Sequence, residues 1–195
     1  MRLLDRILRR ESPPGLPPLV DGDRVVAWGI TGEGEVAVAS SRALWLPLKR
    51  PREALSDADP AITEGAADAA EQRWQRLGWE EIHKAAWAEG VLVITPGAEV
   101  EPGVVADGPV RRIRLADPRD LPAEVRTRVT RSVASTSQHR LRAGGTVRVV
   151  ARRVPGQNGL TWQLRFDDGA DRRDPGVRAE AEGVLTEVRA QATPS

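Results

Sequence analysis

His83 and His139 are the only histidines of this 195-residue chain, and each is a natural general base for a hydrolytic site. His139 follows Ser135-Thr136-Ser137-Gln138, so serine nucleophiles lie close to it in sequence. A Ser–His pair also needs a carboxylate to orient the ring and donors for an oxyanion, and no spacing here supplies them. His139 falls at the end of an expected helix, where it complements the negative end of the helix dipole. His83 sits between Trp79 and Trp87, beside Lys84, and is also read as structural.

The acidic clusters fare no better. Asp167-Asp168-Gly169-Ala170-Asp171 begins like a calcium loop but lacks the later glutamate and the full spacing, and a turn explains it. Glu80 and Glu81 are adjacent, so on a strand they face opposite ways. Gly144-Gly145 is a turn, since no Gly-x-x-x-x-Gly-Lys pattern surrounds it. The absence of Cys excludes disulfides, thiolate nucleophiles and Cys-ligated metal centres. We therefore expect no catalytic residue, metal ligand, cofactor or small-molecule substrate, and no enzyme.

Charge is more informative. The chain has 27 Arg and 2 Lys, and its net charge of +1 hides an asymmetry. Residues 51–108 carry a net −8 and residues 109–153 a net +9. Candidate contacts to an anion or a partner are Arg2, Arg6, Arg9 and Arg10 near the N-terminus, with Arg111, Arg112, Arg114 and Arg126 in the basic block. Two readings of that block stand: a surface for acidic lipid or nucleic acid, or neutralisation by the acidic block within the chain or across a homodimer. Arginine can be chosen for its forked grip on phosphate and carboxylate, whereas a GC-rich genome supplies Arg codons regardless.

Several elements must position these charges. Leu3, Leu4, Ile7 and Leu8 share one face of a short helix over residues 1–10, and a Pro-rich linker follows to residue 20. Residues 25–46 read as a three-stranded meander. Residues 50–71 read as an acidic, solvated insertion, with an Ala-rich helix over 63–76 as one form. Trp79, Ile82, Ala86 and Trp87 fit a helical stripe, but a meander context before Val91–Ile94 favours a strand with a bulge. Pro96-Gly97 and Pro102-Gly103 mark a loop. Val110–Leu115 is a strand, and Leu121 to about Thr136 a helix with Leu121, Val125, Val129 and Val133 buried. The last fifty residues read as a β–β–α unit: strands at 146–151 and 160–166, then a helix capped by Asp174 with Pro175 in its first turn. With no Tyr and one Phe, the six Trp must supply most large aromatic packing. Trp28, Trp45, Trp87 and Trp162 are expected in the core and Trp74 exposed.

Ser41-Arg42-Ala43-Leu44-Trp45 is similar to the T-x-x-R-L-L strand of bacterial PH-like domains of the GRAM kind, and Trp79-Glu80-Glu81-Ile82 to their W-x-x-I strand. Residues 24–136 thus resemble that family, and the abundant Arg and Ala resemble actinobacterial usage. The resemblance implies an α+β chain: a small antiparallel β-barrel or strongly bent sheet capped by an amphipathic helix. The implied organisation is an N-terminal helix and linker (1–20), a PH-like domain (21–143) and a β–β–α extension (144–192). The insertion and the extension depart from the family pattern.

The expected function is a non-catalytic adaptor or interaction module that docks on a protein partner or an anionic membrane surface, with self-association as one form. A nucleic-acid binder using residues 109–153 is the alternative. No apolar run approaches the roughly 18 residues that span a bilayer, and the N-terminus lacks a signal-peptide pattern. The expected location is the cytoplasm, with peripheral attachment to the inner membrane face.

Overall fold

Alternation of apolar residues drives the first meander. β1 (Val25–Thr31), β2 (Val36–Ser40) and β3 (Ala43–Pro47) pair antiparallel in succession, and β4 (Trp74–Gly78) continues the order along β3. The computed structural model describes residues 12–48, 74–167 and 169–192. The expected N-terminal helix and acidic insertion lie outside these residues; Trp74–Arg76, assigned above to an Ala-rich helix, belong to β4.

Every residue of β2 is buried, because the meander is covered on both faces. Ala37 and Ala39 face a main core with Leu44, Leu77 and Trp79, while Val36 and Val38 face a second cluster with Trp45. Trp74 packs half-buried on that outer cluster, contrary to the exposure expected of it. Trp28 is also half-buried there, with the Arg119 guanidinium 3.6 Å from its ring centroid.

A 3-10 turn at Trp79–Glu81 leads into β5 (Ile82–Ala88), which pairs antiparallel with β6 (Val91–Glu101) and is bulged between Ile82 and Lys84. The strand reading of this segment therefore holds from Ile82 onward. Trp87 is 40% exposed and not in the core. It lies one pair from the Glu89-Gly90 hairpin tip, where the core runs out. Pro96-Gly97, expected in a loop, lies inside β6. There β6 changes partner, from β5 (Ile82 opposite Pro96) to β7 (Val104–Asp107; Gly97 opposite Asp107). A proline without an N–H is tolerated at such a handover.

β8 (Arg111–Asp117) joins β6 to β1. α1 (Leu121–Ser132) then buries Leu121, Val125 and Val129 against Leu44, Ile82, Leu92 and Ile94. Each such side chain contributes about 1.5–3 kcal/mol of burial. α1 stops four residues short of the expected end. Val133 begins β9 (Val133–Arg140), so His139 is a strand residue bonded to Ser137 and not a helix-end charge. β-branched and hydroxyl residues after Ser132 favour the strand, and pairing with β10 (Thr146–Arg152) secures it.

β11 (Thr161–Phe166) returns along β10 and meets β7 in parallel at Leu164 and Val104. α2 (Pro175–Ala192) covers this end with Val177, Ala181, Val184, Leu185 and Val188, the stripe its periodicity predicts. Asp174 caps it, accepting from the Gly176 and Val177 amides at 2.7 and 2.9 Å.

The described residues form one open, mixed sheet of eleven strands plus two helices, in the order β4-β3-β2-β1-β8-β6-β7-β11-β10-β9 with β5 beside β6. It is neither a closed barrel nor wholly antiparallel. β4 and β9 end the order without pairing to each other, and the β7–β11 pair is parallel.

Candidate functional site

α1 presents Arg128 and Arg131, three residues apart, beside its buried stripe. The chain leaving β10 brings Arg153, Val154 and Pro155 opposite them. Together with Trp79 and Leu160 these residues line a cleft of about 520 Å³. Among the described residues no carboxylate lines it.

Two of the arginines are held by backbone. Arg128 donates from Nη1 to the Ser41 carbonyl at 3.0 Å and from Nε to Glu124 Oε1 at 2.7 Å. Arg153 donates from Nη1 to the carbonyls of Arg131 and Val133 at 3.2 and 3.1 Å, and its amide donates to the Ser132 carbonyl at 2.7 Å. It thereby closes the C-terminal end of α1, whose last carbonyls lack intrahelical partners. Arg131 is exposed, and among the described residues no carboxylate pairs with Arg131 or Arg153. Guanidinium forks fixed before binding suit a carboxylate or phosphate, because less side-chain entropy remains to be lost.

A second charged group gathers on Asp107. Its Oδ1 accepts from His83 Nδ1 at 2.9 Å and Arg165 Nη2 at 2.6 Å, and its Oδ2 accepts from Lys84 Nζ at 2.7 Å. Burial alone raises the Asp107 pKa, but these donors and the Arg165 charge outweigh it and hold the carboxyl well below its usual range. The His83 side chain is 1% exposed. Burial pushes its pKa below the ordinary 6.5, with the Asp107 hydrogen bond opposing only in part.

This has a measurable consequence. Below about pH 6.5 the unfolded chain protonates His83 and the folded chain resists, so stability falls as pH drops toward the folded value. The slope from this group approaches about 1.4 kcal/mol per pH unit. Urea midpoints taken between pH 7.5 and 5 should fall in the native protein and change less in His83→Gln; parallel profiles would refute this role.

The candidate contacts named from sequence separate in space. Arg2, Arg6, Arg9 and Arg10 lie outside the described residues. Arg111, Arg112 and Arg114 come together on β8, along a groove of about 660 Å³ that also holds Glu33 and Glu35. Arg111 is half-buried and hydrogen-bonded to Gln75. Arg126 is exposed on α1 and lines neither the groove nor the cleft.

Glu101 and Asp107, from the acidic block, pair with Arg172, Arg178 and Arg165, all C-terminal to the basic block. Arg128, Arg131 and Arg153 belong to the basic block read from the sequence but are not among the candidate contacts named from it. The available signal was the three-residue spacing of Arg128 and Arg131 next to the Leu121–Val125–Val129 stripe. Compared with protein-family models, curated proteins and solved structures, the chain matches no family, relative or structural neighbour.

Proposed function

We propose that this chain is a non-catalytic interaction module with a PH-like core, and that its cleft receives an acidic segment of a protein partner. What carries the reading is the cleft itself: among the described residues, three arginines, an apolar floor and no lining carboxylate. The partner segment places a carboxylate on Arg131 and Arg153 and an apolar side chain against Leu160 and Pro155. Leu160 is among the exposed large hydrophobics, so it is available for that contact.

Strand succession supports the PH-like part. A four-strand meander is followed by β5, β6 and β8, β8 returns to β1, and α1 lies over the shared core. β7 and everything after α1 are additions to that plan.

A concave cleft favours an inserted chain over a flat membrane. Among the described residues no helix is long and apolar enough to cross a bilayer. Nucleic acid is disfavoured because Trp79, the aromatic of the cleft, is buried and offers no stacking face.

The test is fluorescence anisotropy with a labelled peptide alternating Asp or Glu with Leu, against its Asn/Gln analogue. The acidic peptide should bind at least about tenfold tighter at low salt, and the difference should shrink as salt rises. The double variant Arg131→Glu/Arg153→Glu should abolish the preference. Binding to anionic vesicles or to DNA without binding to the peptide would overturn the proposal, as would equal affinity for both peptides.

A further inference from the structure

A separate pocket of about 250 Å³ lies where the start of β5, the β6–β7 hairpin and β11 meet. Its lining includes Glu80, Glu81, His83, Glu99, Trp162 and Gln163 and, among the described residues, neither Lys nor Arg. Three acceptor atoms on these residues lack donors.

Glu80 Oε2 and Gln163 Oε1 are buried and have no hydrogen-bond partner among the described residues. His83 provides the third. The Asp107 carboxylate already receives Lys84 and Arg165, so it accepts from His83 as well, and Nδ1 carries the proton. The neutral ring then has a lone pair on Nε2, which accepts no hydrogen bond among the described residues. Gly97 packs against the ring, where a Cβ would sit 2.3 Å from Nε2.

Glu81 and Glu99 are satisfied locally, accepting from the Gly78 and Gly103 amides. They contribute negative field. Burial, with Glu81 beside it, raises the Glu80 pKa above the usual carboxylate value; Arg76 and Arg152 oppose this but do not line the pocket.

We propose that this pocket binds a primary ammonium group, R–NH3+, whose three N–H donors satisfy Glu80, Gln163 and His83. One water supplies only two donors and no charge. Among the described residues no three His, Asp or Glu side chains come together as a metal-binding group. Trp162 offers an aromatic ring for the aliphatic stem or the cation. The ammonium belongs either to a free small amine or to a lysine side chain of a partner. This site is distinct from the arginine cleft, so either proposal can fail without the other.

Amide NMR titration of the full chain tests it, using n-butylammonium, N-acetyl-lysine methylamide and tetramethylammonium. Saturable shifts at Gly97, Gly103 and Gln163 are expected with primary ammonium ions, and at least about tenfold weaker binding of tetramethylammonium, which has no N–H. Tighter binding of the lysine derivative assigns the site to a partner's side chain; tighter binding of butylammonium assigns it to a free amine. Glu80→Gln and Gln163→Leu should each weaken binding about tenfold while preserving the circular dichroism spectrum. Equal response to tetramethylammonium, or no saturable shift with either primary amine, overturns the proposal whether or not the variants fold.

Discussion

Arg152→Ala should lower the unfolding free energy by about 2–5 kcal/mol in a urea titration, because it leaves a cavity and takes the donor from two buried acceptors. Arg152 is 3% exposed. Its Nη1 donates to the Ile82 carbonyl at 3.0 Å and to Ser132 Oγ at 2.9 Å, joining β10 to the start of β5 and the end of α1. Burial and the neighbouring Arg165 disfavour its charge, while Glu80 supports it. Truncation strands the Ile82 carbonyl, takes one donor from Ser132 Oγ and leaves a cavity. Arg152→Met refills the volume without the donors, and each buried group left unpaired costs about 1–3 kcal/mol. Methionine should therefore recover part of the loss and alanine none. A loss below about 1 kcal/mol in alanine would show that water replaces the guanidinium.

Much of the fold was legible because period and punctuation agreed. The first meander, β10, β11 and α2 follow from alternation, a stripe and a cap, each fixed within a few residues. The departures arise where pairing partners lie far away. The residues of Val133–Arg140 suit a strand, but the helical stripe runs on to Val133, and the partner β10 that secures the strand lies beyond the next turn. The same holds for Pro96-Gly97, whose strand character depends on β7 taking over from β5. Sheet closure was also illegible, because it depends on whether β4 meets another edge.

The sites were less legible than the fold. Charge asymmetry pointed to residues 109–153, but folding divides that block among a β8 groove, an α1–β10 cleft and Arg152, which is buried. The ammonium pocket left no trace in sequence. Glu80, His83 and Gln163 come from separate elements, and their lack of donors is a property of packing. Glu80-Glu81 was set aside because neighbours on a strand face opposite ways. Both residues lie in a 3-10 turn, however, and both line the pocket.

Trp79→Ala should destabilise the chain by about 3–5 kcal/mol. Trp79 is 2% exposed and joins Leu44, Leu77, Ile82 and α1's Val125 in the main core. Its Nε1–H donates to the Ser40 carbonyl at 3.2 Å, tying the turn before β5 to the end of β2. Trp79→Phe separates the two contributions. It keeps most of the ring contact and strands the carbonyl, which predicts a smaller loss of about 1–3 kcal/mol. Because Trp79 also floors the arginine cleft, the alanine variant should bind the acidic peptide less tightly even where it remains folded. Phenylalanine should restore most of that binding, since the cleft uses the ring's bulk and not its N–H. If phenylalanine and alanine destabilise equally, the hydrogen bond to Ser40 dominates and the packing account of this turn is wrong.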